Sequence, residues 1–303
     1  MSNYPNSVSI YEVSPRDGLQ NELECLSVGN KKLLVQGLVG AGLRRVEVTS
    51  YVSPRWIPQL ADAGELTADL ARPDGVRFSA LCPNTRGLER AATAGIEEIA
   101  VFLSASPTHN KKNTNRTVER SLEVFSELVP LALKQGMAVR AYISTVWGCP
   151  YEGEVSLARV VDIAQALDEF GCYQLSFGDT IGVGTPSQTS DICERLMTHF
   201  DLEKIALHLH DTRGMALANA LVGLQHGIRH FDSSVAGIGG CPYAPGAAGN
   251  LATEDLVYML DGMNIASGVN LPALLDVGAL AERLLGRKLP GRVHRAGLPR
   301  LRR

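Results

Sequence analysis

The stretch Ala206-Leu-His-Leu-His-Asp211 carries apolar residues in alternation with two histidines. A period of two is typical of a β-strand, in which the side chains at positions i and i+2 point to the same face. His208 and His210 therefore face one side and lie close enough to share a metal ion. A pair of buried, hydrogen-bonded structural histidines is the alternative interpretation. Two imidazoles at the end of an apolar strand favour the metal site, and its other ligands must come from elsewhere in the chain.

Seven more segments have strand character, and helical segments alternate with them along the chain. Strict alternation implies parallel strands joined by helical crossovers. Eight such units predict an α/β protein, a (β/α)8 TIM barrel, rather than an open sheet, which usually has a glycine-rich phosphate loop after its first strand. The predicted strands cover residues 7–13, 45–48, 76–81, 98–103, 138–146, 173–177, 204–210 and 230–235.

The connections and the C-terminal part complete this prediction. Residues 56–70 read as a helix, residues 104–115 as a long polar loop, and residues 236–250 as a glycine-rich flexible loop, followed by a helix that Thr253 caps. We expect one catalytic domain over residues 1–285 that includes a small helical C-terminal extension. The basic segment 286–303 is expected to be a weakly ordered tail.

Composition excludes several classes of protein. The chain has 303 residues, 45% of them hydrophobic and 20% charged, which is the range of a globular protein with one large core. Its formal net charge of −3 argues against nucleic-acid binding. Neither a membrane-spanning run nor a signal peptide is recognisable. The six cysteines are scattered, with no C-x-x-C pair, so we expect free thiols and a cytoplasmic location.

Active sites of barrels of this kind lie at the carboxyl ends of the strands. Two imidazoles, a carboxylate and an amide oxygen suit a divalent ion such as Mg²⁺, Mn²⁺ or Zn²⁺. Each member of the set also has a structural interpretation: a surface turn pair, a paired buried acid, a helix cap or an inert thiol. Their convergence on one face favours a catalytic metal site. The residues placed there are Arg16, Asp17, Glu47, Asp179, His208, His210, Cys241 and Asn250.

Several motifs resemble those of metal-dependent carbon–carbon lyases. The runs 16–22, 178–186 and 208–211 are similar to motifs of that barrel superfamily, which includes isopropylmalate and homocitrate synthases. The run 232–255, with Cys241 in its loop, resembles the signature of the 3-hydroxy-3-methylglutaryl-coenzyme A lyase family, and runs 48–59 and 148–153 are similar to it as well. The resemblance covers about residues 9–287.

The resemblance implies the reaction, the cofactor and the roles of the residues. Members of the family cleave 3-hydroxy-3-methylglutaryl-CoA to acetyl-CoA and acetoacetate with Mg²⁺ or Mn²⁺. The resemblance also suggests that this protein is a homodimer. Arg16 corresponds to the catalytic arginine and Cys241 to the catalytic loop cysteine, while the base can be His208, Asp17 or a group acting through water. The metal ligands of the family correspond to Asp17, His208, His210 and Asn250. The acidic residues that line its site correspond to Glu47 and Asp179. Besides Arg16, the residues that contact its substrate correspond to Gln20, Tyr142, Ser176 and Thr180.

Three other functions remain open at this stage. A lyase for a longer, branched 3-hydroxyglutaryl-CoA uses the same chemistry, and Ser14, Tyr51 and Cys82 depart from the common family pattern in ways that leave the acyl group open. A synthase runs the condensation instead. A non-catalytic barrel is disfavoured because the ligand set, Arg16 and Cys241 are all present.

Overall fold

Eight parallel strands close into a barrel in sequence order, in a computed structural model that describes residues 4–240 and 249–299. Each strand pairs with the next one along the chain, and the first pairs with the last through Ser9 opposite His230. The predicted (β/α)8 fold is confirmed. The strands are β1 (Ser9–Glu12), β2 (Arg45–Ser50), β3 (Arg77–Leu81), β4 (Glu98–Ser104), β5 (Ala138–Ser144), β6 (Gln174–Asp179), β7 (Ile205–Leu209) and β8 (His230–Ser233).

The barrel strands carry several polar and charged side chains that are buried. Glu47, Glu98, Arg140 and Asp232 are all at most 2% exposed. A buried charge is costly unless it is paired, so these residues must find partners across the barrel. The interior is therefore a network of ion pairs and hydrogen bonds that leads up to the carboxyl end.

Helices surround the barrel, and their ends carry ordinary caps. Ser27, Thr117 and Ser156 each accept a hydrogen bond from a backbone N–H of the first helical turn, which satisfies a donor that the helix leaves unpaired. The helices are α1 (Val28–Gly40), α2 (Ala63–Ala68), α3 (Thr85–Thr93), α4 (Pro107–Thr114), α5 (Val118–Lys134), α6 (Leu157–Phe170), α7 (Pro186–Met197), α8 (Ala216–Gln225), α9 (Thr253–Gly262), α10 (Leu271–Leu285) and α11 (Arg292–Ala296).

Two of the predicted connections are wrong. The polar loop expected over residues 104–115 contains α4, which Ser106 caps, Pro107 begins and left-handed Asn115 ends. The helix expected over residues 56–70 is a 3-10 turn at Pro58–Leu60 followed by the short α2. Proline at the start of the turn lacks the N–H that a longer helix would use, so the helix does not form as one piece.

The prediction of the last barrel helix also needs a correction, whereas the predicted helical extension is present. Thr253 is the first residue of α9 and not its cap, because its hydroxyl donates to Glu12 instead. Helix α10, which covers residues 271–285, forms the helical C-terminal extension that the sequence predicted.

Beyond α10, the segment expected to be a weakly ordered tail contains α11. Asp255 accepts hydrogen bonds from the backbone N–H groups of Arg292 and Val293. The domain boundary at residue 285 stays a prediction. Among the described residues, no helix is both long and apolar enough to span a membrane.

Candidate active site

One turn of π-helix, Ser14–Gly18, positions the first two site residues at the carboxyl end of β1. The backbone N–H groups of Arg16, Asp17 and Gly18 all donate to the carbonyl oxygen of Val13, at 2.8–3.2 Å. Single π turns are rare and are often found at functional sites. The sequence predicted a turn here, with Arg16 and Asp17 at its tip.

Arg16 is buried and holds carboxylates with two of its nitrogens. Its Nε donates to Glu47 Oε2 at 2.6 Å, and its Nη1 donates to Asp17 Oδ1 at 2.6 Å. Burial alone would lower the pKa of Arg16, but the two carboxylates raise it above its usual value. The Tyr142 hydroxyl also donates to Glu47 Oε2, at 3.1 Å, and the Arg16 guanidinium carbon lies 5.2 Å from the Tyr142 ring centroid. Glu47 and Tyr142 therefore fix the guanidinium at the barrel mouth.

His208 and His210 come together at the end of β7. Their Nε2 atoms are 3.1 Å apart, and His208 Nε2 is 4.0 Å from Asp17 Oδ2. Burial first, and His208 next, lower the pKa of His210 to about 4. A neutral imidazole offers a lone pair, which is the form that ligates a metal.

Asn250 completes the group from the far side of the glycine-rich loop. Its backbone pairs with His210 in an isolated antiparallel bridge, and its Nδ2 donates to Asp17 Oδ2 at 2.9 Å. Burial opposes ionisation of Asp17, but Arg16 and the two histidines hold its pKa well below its usual value. Asp17 is therefore a carboxylate at neutral pH.

The donor set fits a divalent ion. Asp17, His208 and His210 each offer a ligand atom, and these atoms all lie within 4.8 Å of one another. Two imidazole nitrogens that face each other beside an ionised carboxylate are stabilised by a cation between them. Oxygen and imidazole ligands together suit Mg²⁺, Mn²⁺ or Zn²⁺.

Asp232 and Arg140 lie directly behind His208, and the sequence did not single them out. Arg140 Nη2 and Nη1 donate to the two carboxylate oxygens of Asp232 at 2.5 Å and 3.1 Å. His208 Nδ1 is 3.1 Å from Asp232 Oδ2. A charged residue inside an apolar strand must be paired, so the sequence indicates that Arg140 and Asp232 each need a partner but not which residue the partner is.

The loop between β8 and α9 is fastened at both ends. Glu12 accepts from the N–H groups of Ser14 and Val235 and from the hydroxyl of Thr253, at 2.7–3.0 Å. One buried carboxylate thus ties the turn that carries Arg16 to the start and the end of this loop. Cys241 lies outside the described residues.

The two described edges of the loop also touch one another. A Cβ on Gly249 would lie 2.7 Å from backbone atoms of Gly239 and Gly240, and one on Gly239 would lie 2.8 Å from Asn250 Nδ2. The described edge of the loop at Gly239 therefore lies directly beside the side chain of Asn250.

Three of the remaining predicted residues, Asp179, Ser176 and Thr180, have hydrogen-bond partners within the protein. Both oxygens of Asp179 accept backbone N–H groups, from Val183 and Gly184, so this carboxylate shapes its own turn. Ser176 Oγ donates to Asp232 Oδ2 at 2.8 Å. Thr180 Oγ1 accepts from the Thr145 N–H at 2.8 Å. Gln20 is half-buried just after the π turn. Their roles toward substrate stay predictions.

Comparison with known proteins identifies relatives along nearly the whole chain. The HMGL-like family model matches residues 7–281. The hydroxymethylglutaryl-CoA lyase of Bacillus subtilis is 48% identical over 289 residues, which are 95% of this chain and 97% of that protein. The human mitochondrial hydroxymethylglutaryl-CoA lyase is 46% identical over 296 residues, covering 98% of this chain and 91% of that protein.

Solved structures give the same result. The crystal structure of the B. subtilis HMG-CoA lyase superposes with a TM-score of 0.96 at 47% identity, over 97% of this chain and 98% of that one. An HMG-CoA lyase from Acinetobacter baumannii, in complex with coenzyme A and 3-methylmalate, superposes with a TM-score of 0.94 at 35% identity, over 98% and 97% of the two chains.

Proposed function

This chain belongs to the HMGL-like family of hydroxymethylglutaryl-CoA lyases, and we propose that it cleaves 3-hydroxy-3-methylglutaryl-CoA to acetyl-CoA and acetoacetate. The observation that carries the proposal is the meeting of Asp17, His208 and His210 beside Arg16 at the catalytic end of the barrel. The acyl-CoA substrate is supported by the relative that was solved with coenzyme A and 3-methylmalate.

The cofactor is Mg²⁺ or Mn²⁺, held by Asp17, His208, His210 and Asn250. When bound, such an ion polarises the substrate oxygens and favours loss of the hydroxyl proton. That proton passes to Asp17, to His208 or to a group acting through water. The bond between the hydroxyl-bearing carbon and the acetyl-CoA fragment then breaks, which leaves a ketone on one side and a thioester enolate on the other.

Arg16 is placed to stabilise the developing enolate oxyanion. A guanidinium is always charged, and here Glu47 and Asp17 hold it in one orientation. Cys241 then donates a proton to the enolate carbon, which completes acetyl-CoA. We infer substrate contacts for Gln20, Tyr142, Ser176 and Thr180, and Asp179 lines the site by shaping the turn after β6.

The alternative functions are not favoured. The relatives described above are lyases rather than condensing synthases, and the retained ligand set argues against a non-catalytic barrel. A homodimer and a cytoplasmic location stay predictions.

A product assay tests the proposal. Purified protein is incubated with 3-hydroxy-3-methylglutaryl-CoA and with esters that carry longer 3-alkyl groups, and acetyl-CoA and the keto acid are quantified. We expect equal amounts of acetyl-CoA and acetoacetate from 3-hydroxy-3-methylglutaryl-CoA, and the highest kcat/KM of the series for this substrate. A higher kcat/KM for a longer ester, or no cleavage of any ester, would refute it.

A further inference from the structure

The carboxylate of Asp232 has four hydrogen-bond contacts in the barrel interior. Arg140 supplies two, the Ser176 hydroxyl supplies one at 2.8 Å, and the fourth is His208 Nδ1 at 3.1 Å. Both Asp232 and Arg140 are at most 2% exposed. A fully buried carboxylate whose two oxygens accept from the two terminal nitrogens of a guanidinium is ionised, because a neutral acid would leave the buried cation unpaired.

We propose that Asp232, held by Arg140, is a positioning residue that keeps the proton of His208 on Nδ1 and thereby directs the Nε2 lone pair into the metal-binding group. The inference rests on the proposed metal-dependent function. Asp232 acts through His208 and does not touch the substrate.

The geometry carries the inference because an ionised carboxylate only accepts hydrogen bonds. At 3.1 Å from Asp232 Oδ2, the Nδ1 atom must donate, so a neutral His208 ring has its lone pair on Nε2. That atom faces His210 Nε2 at 3.1 Å and Asp17 Oδ2 at 4.0 Å. A carboxylate that orients a ligating histidine in this way raises its basicity and typically contributes about 10- to 100-fold to metal affinity.

Arg140 fixes the carboxylate in turn. Its guanidinium carbon lies 4.1 Å from the ring centroid of Tyr11 and 4.8 Å from that of Tyr142, so the cation is packed between two aromatic rings. Its Nε donates to Gln174 Oε1 at 2.8 Å. Because all three nitrogens of Arg140 donate hydrogen bonds, its guanidinium is held in one orientation. The carboxylate of Asp232 is held in one orientation as a result.

His210 provides an internal comparison. Its Nδ1 is buried and has no hydrogen-bond partner among the described residues. Nothing there fixes the tautomer of His210. In the metal-free protein its Nε2 donates to the His208 lone pair, and metal binding moves its proton to Nδ1. His208 is therefore a preset ligand, and His210 is an adaptable one.

The first experiment uses the unmodified protein and needs no substrate. Nitrogen-15 shifts of the imidazoles are measured at pH 8 without metal and with Mg²⁺. We expect His208 to carry its proton on Nδ1 in both states, while His210 changes from the Nε2–H to the Nδ1–H form. A His208 proton on Nε2 in the metal-free protein would overturn the proposal, even if the protein folds and is active.

The second experiment measures Mn²⁺ affinity by electron paramagnetic resonance. The double variant Arg140→Met/Asp232→Leu removes the pair together, which avoids an unpaired buried charge. We expect its Mn²⁺ affinity to fall about 10- to 100-fold. The matched control is Glu98→Gln, an equally buried barrel carboxylate that accepts hydroxyl bonds from Tyr11 and Tyr173 and does not contact His208.

The outcomes separate the two proposals. A folded double variant with the affinity of the Glu98→Gln control contradicts the role of Asp232 and leaves the lyase function intact. An unmodified protein that binds no Mn²⁺ contradicts the metal-dependent function, and the nitrogen-15 shifts still decide the tautomer of His208.

Discussion

At the scale of single residues, two carboxylates that accept hydrogen bonds from Arg16 fix the orientation of its guanidinium. Arg16 donates from Nε to Glu47 and from Nη1 to Asp17, and only a planar group with several fixed N–H donors can make both bonds at once. Lysine keeps the charge but has one nitrogen on a flexible stem, so it cannot hold both partners and remain aimed at the substrate.

We predict that Arg16→Lys lowers kcat at least about a hundredfold, the scale for one lost oxyanion donor. KM should change much less, because the contact strengthens only in the transition state. Steady-state kinetics with Arg120→Lys as control, an exposed arginine paired with Glu123, measures both. A raised KM with normal kcat would make Arg16 a binding residue only.

Cys241 has a different test, because the role that we propose for it is proton donation rather than stabilisation of charge. A thiol has a reference pKa of about 8.5, so it is mostly protonated at neutral pH. We predict that Cys241→Ser and Cys241→Ala lose most turnover while Mn²⁺ affinity is unchanged. Alkylation should inactivate the enzyme, and bound substrate should slow this inactivation.

The alkylation experiment belongs in a Cys25→Ser background, because Cys25 is exposed and would react as well. Near-normal turnover of Cys241→Ser would reject the proton-donor role. Lost Mn²⁺ affinity in that variant would instead make Cys241 a ligand.

At the scale of elements, the loop after β8 depends on the contact between its two edges. Gly249 has no room for a side chain, since a Cβ there would meet the backbone of Gly239 and Gly240 at 2.7 Å. Gly240 itself has nothing within 4 Å of such an atom.

Gly249→Ala should therefore lower kcat about 10- to 100-fold, because misplacing catalytic groups by about 1 Å has effects of this size. Gly240→Ala is the matched control in the same loop and should stay within about twofold. Equal kcat values for the two variants would show that the contact between the loop edges does not matter.

Strands β3, β4 and β5 contribute a small apolar cluster beside the candidate site, where the Tyr142 ring lies 5.8 Å from the ring of His208. Leu81, Ala100 and Tyr142 form a cluster apart from the main core, and the partly buried Val52 and Phe102 pack against it. We infer that this cluster bounds the 3-alkyl group of the substrate.

Phe102→Ala should raise kcat/KM for a CoA ester with a longer 3-alkyl group, relative to that for 3-hydroxy-3-methylglutaryl-CoA, by at least about tenfold. One methylene in an apolar pocket changes kcat/KM by about this factor. Leu133→Ala, on the outside of α5, is the control and should leave the ratio unchanged. A Phe102→Ala ratio equal to that of the control would place the alkyl group elsewhere.

Most elements could be predicted from the sequence, and the exceptions have physical reasons. The order of the strands follows from alternating apolar runs with Gly and Pro between them. Helix α4 was missed because its residues, PTHNKKNT, carry no apolar stripe. It is held by polar contacts instead, such as Asn110 Oδ1 accepting from the Ser104 N–H.

At the scale of the whole molecule, the candidate metal-binding group of Asp17, His208, His210 and Asn250 depends on closure of the barrel. Asp17 follows β1, the histidines end β7, and Asn250 follows β8, so only adjacency of the first and last strands brings them together. The sequence predicted this group through the rule that barrel active sites lie at the carboxyl ends of strands. It did not predict the Arg140–Asp232 pair, because pairing across a barrel interior leaves no periodic signal.

The most direct test of this account is the metal dependence of cleavage of 3-hydroxy-3-methylglutaryl-CoA. Protein is depleted of metal with a chelator, dialysed, and assayed for acetoacetate before and after addition of Mg²⁺ or Mn²⁺. The account predicts that depletion abolishes activity and that either ion restores it. Full activity in the metal-depleted protein would contradict it.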